Sequence, residues 1–121
     1  MKKTLLILFL LCSPLIAQDA KVDSLMSKPL TDIQGKEVKV LAVEYPPGGQ
    51  DPVHRHNAHG FIYVLEGTIV MAVNGDQPVT LTAGQTFYEG PNDIHTIGRN
   101  ASKTTPAKFL VFCSKTKVRL F

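Results

Sequence analysis

From residue 38 onward the chain is divided into short apolar runs of strand length, each closed by Gly, Pro, Asn or Asp. That rhythm restricts it to an all-β sandwich or barrel. The sharpest punctuation is Asn74-Gly75, two residues that tolerate positive φ and so predict a hairpin turn between strands over 68–73 and 78–81. Further runs predict strands over 38–45, 61–65, 86–89, 94–99 and 107–113, with another beginning at 53–56. The run 61–65 is Phe-Ile-Tyr-Val-Leu without a polar break, the pattern of a strand covered on both faces. Beyond Ala17 no segment of useful length has a helical period.

The segment Met1 to Ala17 reads differently. Met1-Lys2-Lys3 is a basic start, 4–16 is almost wholly apolar, and Ala17 is a small residue suited to cleavage. This pattern predicts a secretory signal peptide, since the apolar run is shorter than the ~20 residues a spanning helix requires. The expected product is exported to the periplasm or beyond and is not membrane-attached after cleavage. Cys12 lacks a small residue before it and is not expected to carry lipid.

Residues 18–35 are polar, contain Pro29 and Gly35, and are expected to be a lead-in to a single domain over 36–121. The net charge of +3 loses Lys2 and Lys3 on cleavage, so the mature domain is near neutral and gives no basis for nucleic-acid binding. Cys113 is then the one cysteine left, which excludes an internal disulfide. It follows the apolar run 109–112, as expected of a small core residue.

The chemistry resides in four histidines, His54, His56, His59 and His95. On an extended strand His54 and His56 point to one face. Neutral imidazole is a common ligand for divalent metals such as Fe, Zn, Mn, Ni and Cu, and a third imidazole from a facing strand makes a facial set with its opposite side open.

The spacing of these residues closely resembles the cupin superfamily. Gly48, His54-Arg55-His56 and the closing Gly67 match its first motif, and Gly84 with His95 matches its second, although Gly90 and Asn92 stand where that motif has Pro and Gly. The resemblance implies a double-stranded β-helix, the jelly-roll or cupin barrel, with a metal held by His54, His56 and His95. It leaves function wide, since cupins include dioxygenases, isomerases, sugar-binding and seed-storage proteins. One departure stands out: counting back seven from Gly67, the position at which cupins carry the metal-binding Glu is Gly60.

Three neutral ligands would leave a divalent ion its full charge, favouring thiolate, carboxylate or enolate ligands. The set resembles the three-histidine non-haem iron branch of the cupins, which includes thiol dioxygenases and a diketone-cleaving dioxygenase. The expected function is an exported metal-binding cupin acting on a small organic anion in dioxygenase-like chemistry. The alternative is a non-catalytic module that binds a small molecule or metal.

Several side chains carry open readings. His59 faces away from the Gly60 position on a regular strand and sits at the rim, whereas a turn at 57–59 would rotate it inward as a fourth ligand. Glu89 is either an acceptor or general base at the cavity or a solvated carboxylate at a strand end. Tyr63 and Tyr88 either donate to a bound anion or pack. Arg55 is expected to point out of the cavity. The tail 114–121, ending in Leu120-Phe121, is expected to be an edge strand or a contact between two copies, giving a homodimer. No nucleophile elbow, phosphate loop or Cys-x-x-Cys is present.

Overall fold

The computed structural model describes residues 19–116. The leader with Cys12 and the terminal Leu120-Phe121 lie outside the described residues. Among the described residues there are eight strands and no helix: β1 (Lys21–Pro29), β2 (Lys36–Tyr45), β3 (Ala58–Glu66), β4 (Thr68–Val73), β5 (Val79–Thr82), β6 (Thr86–Glu89), β7 (His95–Asn100) and β8 (Ala107–Thr116). All pair antiparallel, in a five-stranded sheet of order β1-β2-β8-β3-β6 and a three-stranded sheet of order β5-β4-β7. The expected double-stranded β-helix is the fold observed.

The core lies between the inner faces of the two sheets. Tyr45, Val64, Ile69 and Met71 are its largest fully enclosed side chains, joined by Val43, Ile62, Leu81 and Phe109. Strand parity decides which residues reach it. Along β3, Ala58, Gly60, Ile62 and Val64 are buried while His59, Phe61, Tyr63 and Leu65 are exposed. The expectation that 61–65 is covered on both faces is therefore corrected: the second sheet covers one face of β3, and Phe61 projects outward beside its ladder partners Tyr88 and Phe112. The run buried without interruption lies in β4, where Ile69, Val70, Met71 and Ala72 are each at most 5% exposed.

Two other expectations change. Residues 21–29, read as a lead-in, form edge strand β1 and pair along β2 from Lys21↔Glu44 to Pro29↔Glu37. Every residue of β1 is exposed, so it adds ladder hydrogen bonds without joining the core, and its polar composition concealed it. Residues 114–116 are not an edge, because they extend β8 between β2 and β3.

Turns hold the strands in register. Asn74 (φ 55°) and Gly75 (φ 74°) adopt the left-handed conformations expected of the hairpin. The Asn74 side chain donates to Asp93 Oδ1 at 2.8 Å and accepts from the Ile94 backbone N–H at 2.9 Å. This hairpin thereby clamps the loop that presents His95. At Gly67, φ is 74° and an added Cβ would lie 2.7 Å from the Pro106 carbonyl oxygen and 2.9 Å from Ala107 Cα. Replacing Gly67 with Ala is expected to lower stability by at least about 1 kcal/mol, measured by thermal unfolding. Gly75→Ala, which meets no atom within 4 Å, is expected to cost less.

Candidate metal centre and ligand cavity

Residues 53–56 are not a strand. His54 makes one isolated bridge with His95, whose backbone N–H donates to the His54 carbonyl at 2.8 Å. The premise of a shared strand face for His54 and His56 thus fails, yet their rings still meet, with centroids 4.4 Å apart. The His54 and His95 ring centroids are 4.9 Å apart. The His56 ring lies beside His54, but the ligand atoms that come within 4.8 Å of one another are those of His54, His95 and Asp51, without His56.

His54 has a defined tautomer. Its Nδ1 lies 2.7 Å from the Pro52 carbonyl, which can only accept, so Nδ1 carries the proton and Nε2 presents a lone pair. That Nε2 is 3.3 Å from His95 Nδ1. Glu89 Oε2 is 3.4 Å from the same His95 nitrogen, and Glu89 Oε1 is 3.8 Å from His56 Nε2. The His54 Nε2 lone pair and a Glu89 carboxylate oxygen therefore both face His95 Nδ1. A divalent cation suits such a donor set.

Glu89 is 6% exposed, which rules out the solvated strand-end reading. It ends an inner row that crosses the large sheet through ladder partners: Lys39 on β2, Cys113 on β8, Gly60 on β3 and Glu89 on β6. Burial pushes its carboxyl above the ordinary value of 4.5, against the opposing pull of His95 and His54. Burial holds His95 below the usual imidazole range against the pull of Glu89, and burial followed by the neighbouring His54 does the same for His56. Both rings thus remain neutral, the state a ligand requires.

Three further residues, Tyr45, Asp51 and Met71, belong to the site. Asp51 accepts a hydrogen bond from the Tyr45 hydroxyl, and burial holds that phenol protonated. Asp51, His54 and His95 present ligand atoms within 4.8 Å of one another and form a group able to hold a metal ion. Met71 Sδ lies 3.1 Å from His95 Nε2. The parity of Tyr45 with buried Val43 would have placed it inward, whereas nothing in the loop around Asp51 distinguishes it.

His59 is outside the cluster. It lies on the outer face of regular β3, where its Nδ1 pairs with the Tyr88 hydroxyl at 2.7 Å and the rings stack. No turn rotates it inward. Tyr63 and Tyr88 share that exposed face and do not point to the site. Arg55, expected to point away, lines the cavity instead, because strand alternation does not hold in the 52–57 loop. Cys113 is half-buried at the cavity wall, and burial pushes its thiol up, away from the reactive thiolate.

The cavity has a volume of about 780 Å³ and is lined by His54, His56 and His95 together with residues of the large sheet. Leu41, Ile62, Phe109 and Val111 give it an apolar wall, and Lys39, Arg55 and Lys115 add positive charge. Small-molecule sites commonly have this size and mixture.

A family profile described as a cupin domain matches residues 41–113, more than half of the chain. The chain belongs to the cupin family. Among solved structures it is similar to oxalate oxidase in complex with the substrate analogue glycolate, at 26% identity and TM-score 0.57, over 63% of this chain and 41% of that one. It therefore spans less than half of that oxalate oxidase. Two likenesses at lower identity support the cupin fold alone. One is DMSP lyase from Ruegeria pomeroyi, at 21% identity and TM-score 0.58, over 69% of this chain and 41% of that one. The other is an uncharacterised double-stranded β-helix protein from Klebsiella pneumoniae, at 14% identity and TM-score 0.64, over 84% and 86% of the two chains. No curated protein matches the chain.

The raised carboxyl of Glu89 carries a sign for stability. Between 4.5 and its folded value the folded chain holds more protons than the unfolded one, so ionised Glu89 weighs against folding above that window. In chelator-treated protein at about pH 8, Glu89→Gln is expected to raise the thermal unfolding midpoint. The gain should shrink as the pH approaches 4.5. An unchanged or lower midpoint at the higher pH would contradict this account of Glu89.

Proposed function

We propose that this cupin is an exported, metal-dependent enzyme acting on a small organic anion, with oxygen-dependent oxidation the first reaction to assay. The observation that carries the reading is the convergence of His54, His56 and His95 beside a cavity of about 780 Å³. The similarity to an oxalate oxidase bound to glycolate supports a small carboxylate as the substrate class. Export rests on the composition of the segment Met1 to Ala17.

A divalent ion, when bound, supplies a Lewis acid that polarises and orients an anionic oxygen. His54, His56 and His95 would hold it. The remaining work falls to the chain's own residues. The Pro52 carbonyl fixes the tautomer of His54 at Nδ1, and Met71 packs against the far nitrogen of His95. Tyr45 holds Asp51 beside His54. Leu41, Ile62 and Phe109 keep water from the cavity wall, while Lys39 and Arg55 attract an anion. The outward position of His59 removes the fourth imidazole that would have favoured a non-catalytic binding module.

Protein purified without chelator is expected to contain about one equivalent of divalent metal, and the His54→Ala, His56→Ala double variant to lose it. Elemental analysis measures this, and unchanged metal content in the double variant would end the proposal. Glycolate or oxalate is expected to bind the loaded protein, and Arg55→Ala to weaken that binding by about 1 kcal/mol, roughly fivefold. Calorimetric titration at low and high salt provides the test.

A further inference from the structure

Residue 60 is where the resemblance to cupins implies a metal-binding glutamate, and it has no side chain. Its ladder partner does. Gly60 lies directly opposite Glu89 in the β3–β6 pairing, so the two positions share the inner face of the sheet. An added Cβ on residue 60 would lie 2.9 Å from Glu89 Cγ and 3.1 Å from Glu89 Oε1. The carboxylate of Glu89 thus occupies the volume above residue 60. It faces imidazoles from both motifs, with Oε2 at 3.4 Å from His95 Nδ1 and Oε1 at 3.8 Å from His56 Nε2.

We infer that Glu89 is the acidic metal ligand of this site, moved by one strand from residue 60, and that residue 60 must be glycine to make room for it. The inference rests on the metal-binding reading above and deepens it. Asp51 is the rival carboxylate: its ligand atom lies within 4.8 Å of those of His54 and His95, a grouping that includes neither Glu89 nor His56. One of its oxygens is already taken by the Tyr45 hydroxyl, and it belongs to the loop before the histidines rather than to the strand beside residue 60. Its role is therefore to orient the cluster. With Glu89 as a ligand, a bound divalent ion retains a net charge of about +1 rather than +2. The site then has a four-donor composition of three imidazoles and one carboxylate, which linear spacing alone does not reveal.

The test is Co²⁺ binding to the full chain, followed by calorimetry and by visible absorption, which reports the ligands themselves. Glu89→Gln is expected to weaken Co²⁺ binding at least about tenfold and to change the absorption spectrum. Gly60→Ala alters no donor, yet it too should weaken binding, because its Cβ displaces Glu89. The double variant Gly60→Glu, Glu89→Ala should recover affinity and spectrum by restoring a carboxylate from the other strand.

Wild-type affinity and spectrum in Glu89→Gln would overturn the inference. So would weaker binding with an unchanged spectrum, which marks an acceptor behind His95. A swap variant that folds by circular dichroism but does not recover Co²⁺ would also overturn it. If Asp51→Asn loses Co²⁺ while Glu89→Gln keeps it, the acidic ligand is Asp51 and the inference falls. Loss of Co²⁺ from the His54→Ala, His56→Ala variant alongside retention in Glu89→Gln sinks this inference and leaves the proposed function standing. Absence of Co²⁺ binding by the unmodified protein sinks both.

Discussion

A carboxylate enclosed to 6% exposure inside a β-sandwich is unfavourable unless positive charge or well-placed donors face it. Glu89 is in that position, and the groups around it are neutral imidazoles rather than a lysine or arginine. The balance is incomplete, as the upward displacement of its carboxyl by burial indicates. The arrangement makes physical sense when a cation supplies the missing charge.

The rest of the structure serves that enclosure. The large sheet brings β8 and β3 side by side and β6 to its edge, which aligns Lys39, Cys113, Gly60 and Glu89 in one inner row. The small sheet contributes Met71 and His95 from the opposite side. The hairpin at Asn74-Gly75 is remote in sequence from the histidines, but its side chain fixes the loop before His95. Turn chemistry and site geometry are therefore coupled through two hydrogen bonds.

Most of the strand plan was legible because antiparallel strands of a sandwich are bounded by Gly, Pro and Asn. The spans 68–73 and 86–89 coincide with β4 and β6. The site was legible in part. His54, His56 and His95 follow from motif spacing, which does not depend on whether 53–56 is regular. Parity arguments succeeded where the backbone is regular, as for outward His59, and failed for Arg55, where it is not. Asp51 was illegible because its role depends on Tyr45, whose hydroxyl reaches it from the end of another element. Strand β1 was missed because an edge strand with all its residues exposed needs no apolar pattern.

The absence of a side chain at residue 60 reads differently once register is known. Along a strand, a ligand cannot move by one position without crossing to the other face, because parity reverses. Across an antiparallel ladder it can, since opposed residues share a face. Residue 60 has two such partners, Cys113 on β8 and Glu89 on β6. Burial keeps the Cys113 thiol protonated and a poor ligand, whereas Glu89 offers a carboxylate beside two imidazoles. A one-strand transfer of the acidic group thus leaves the fold, the histidines and the cavity in place. Linear spacing alone registers it as a loss, because the replacement lies three strands further along the chain, on β6, yet directly opposite in space.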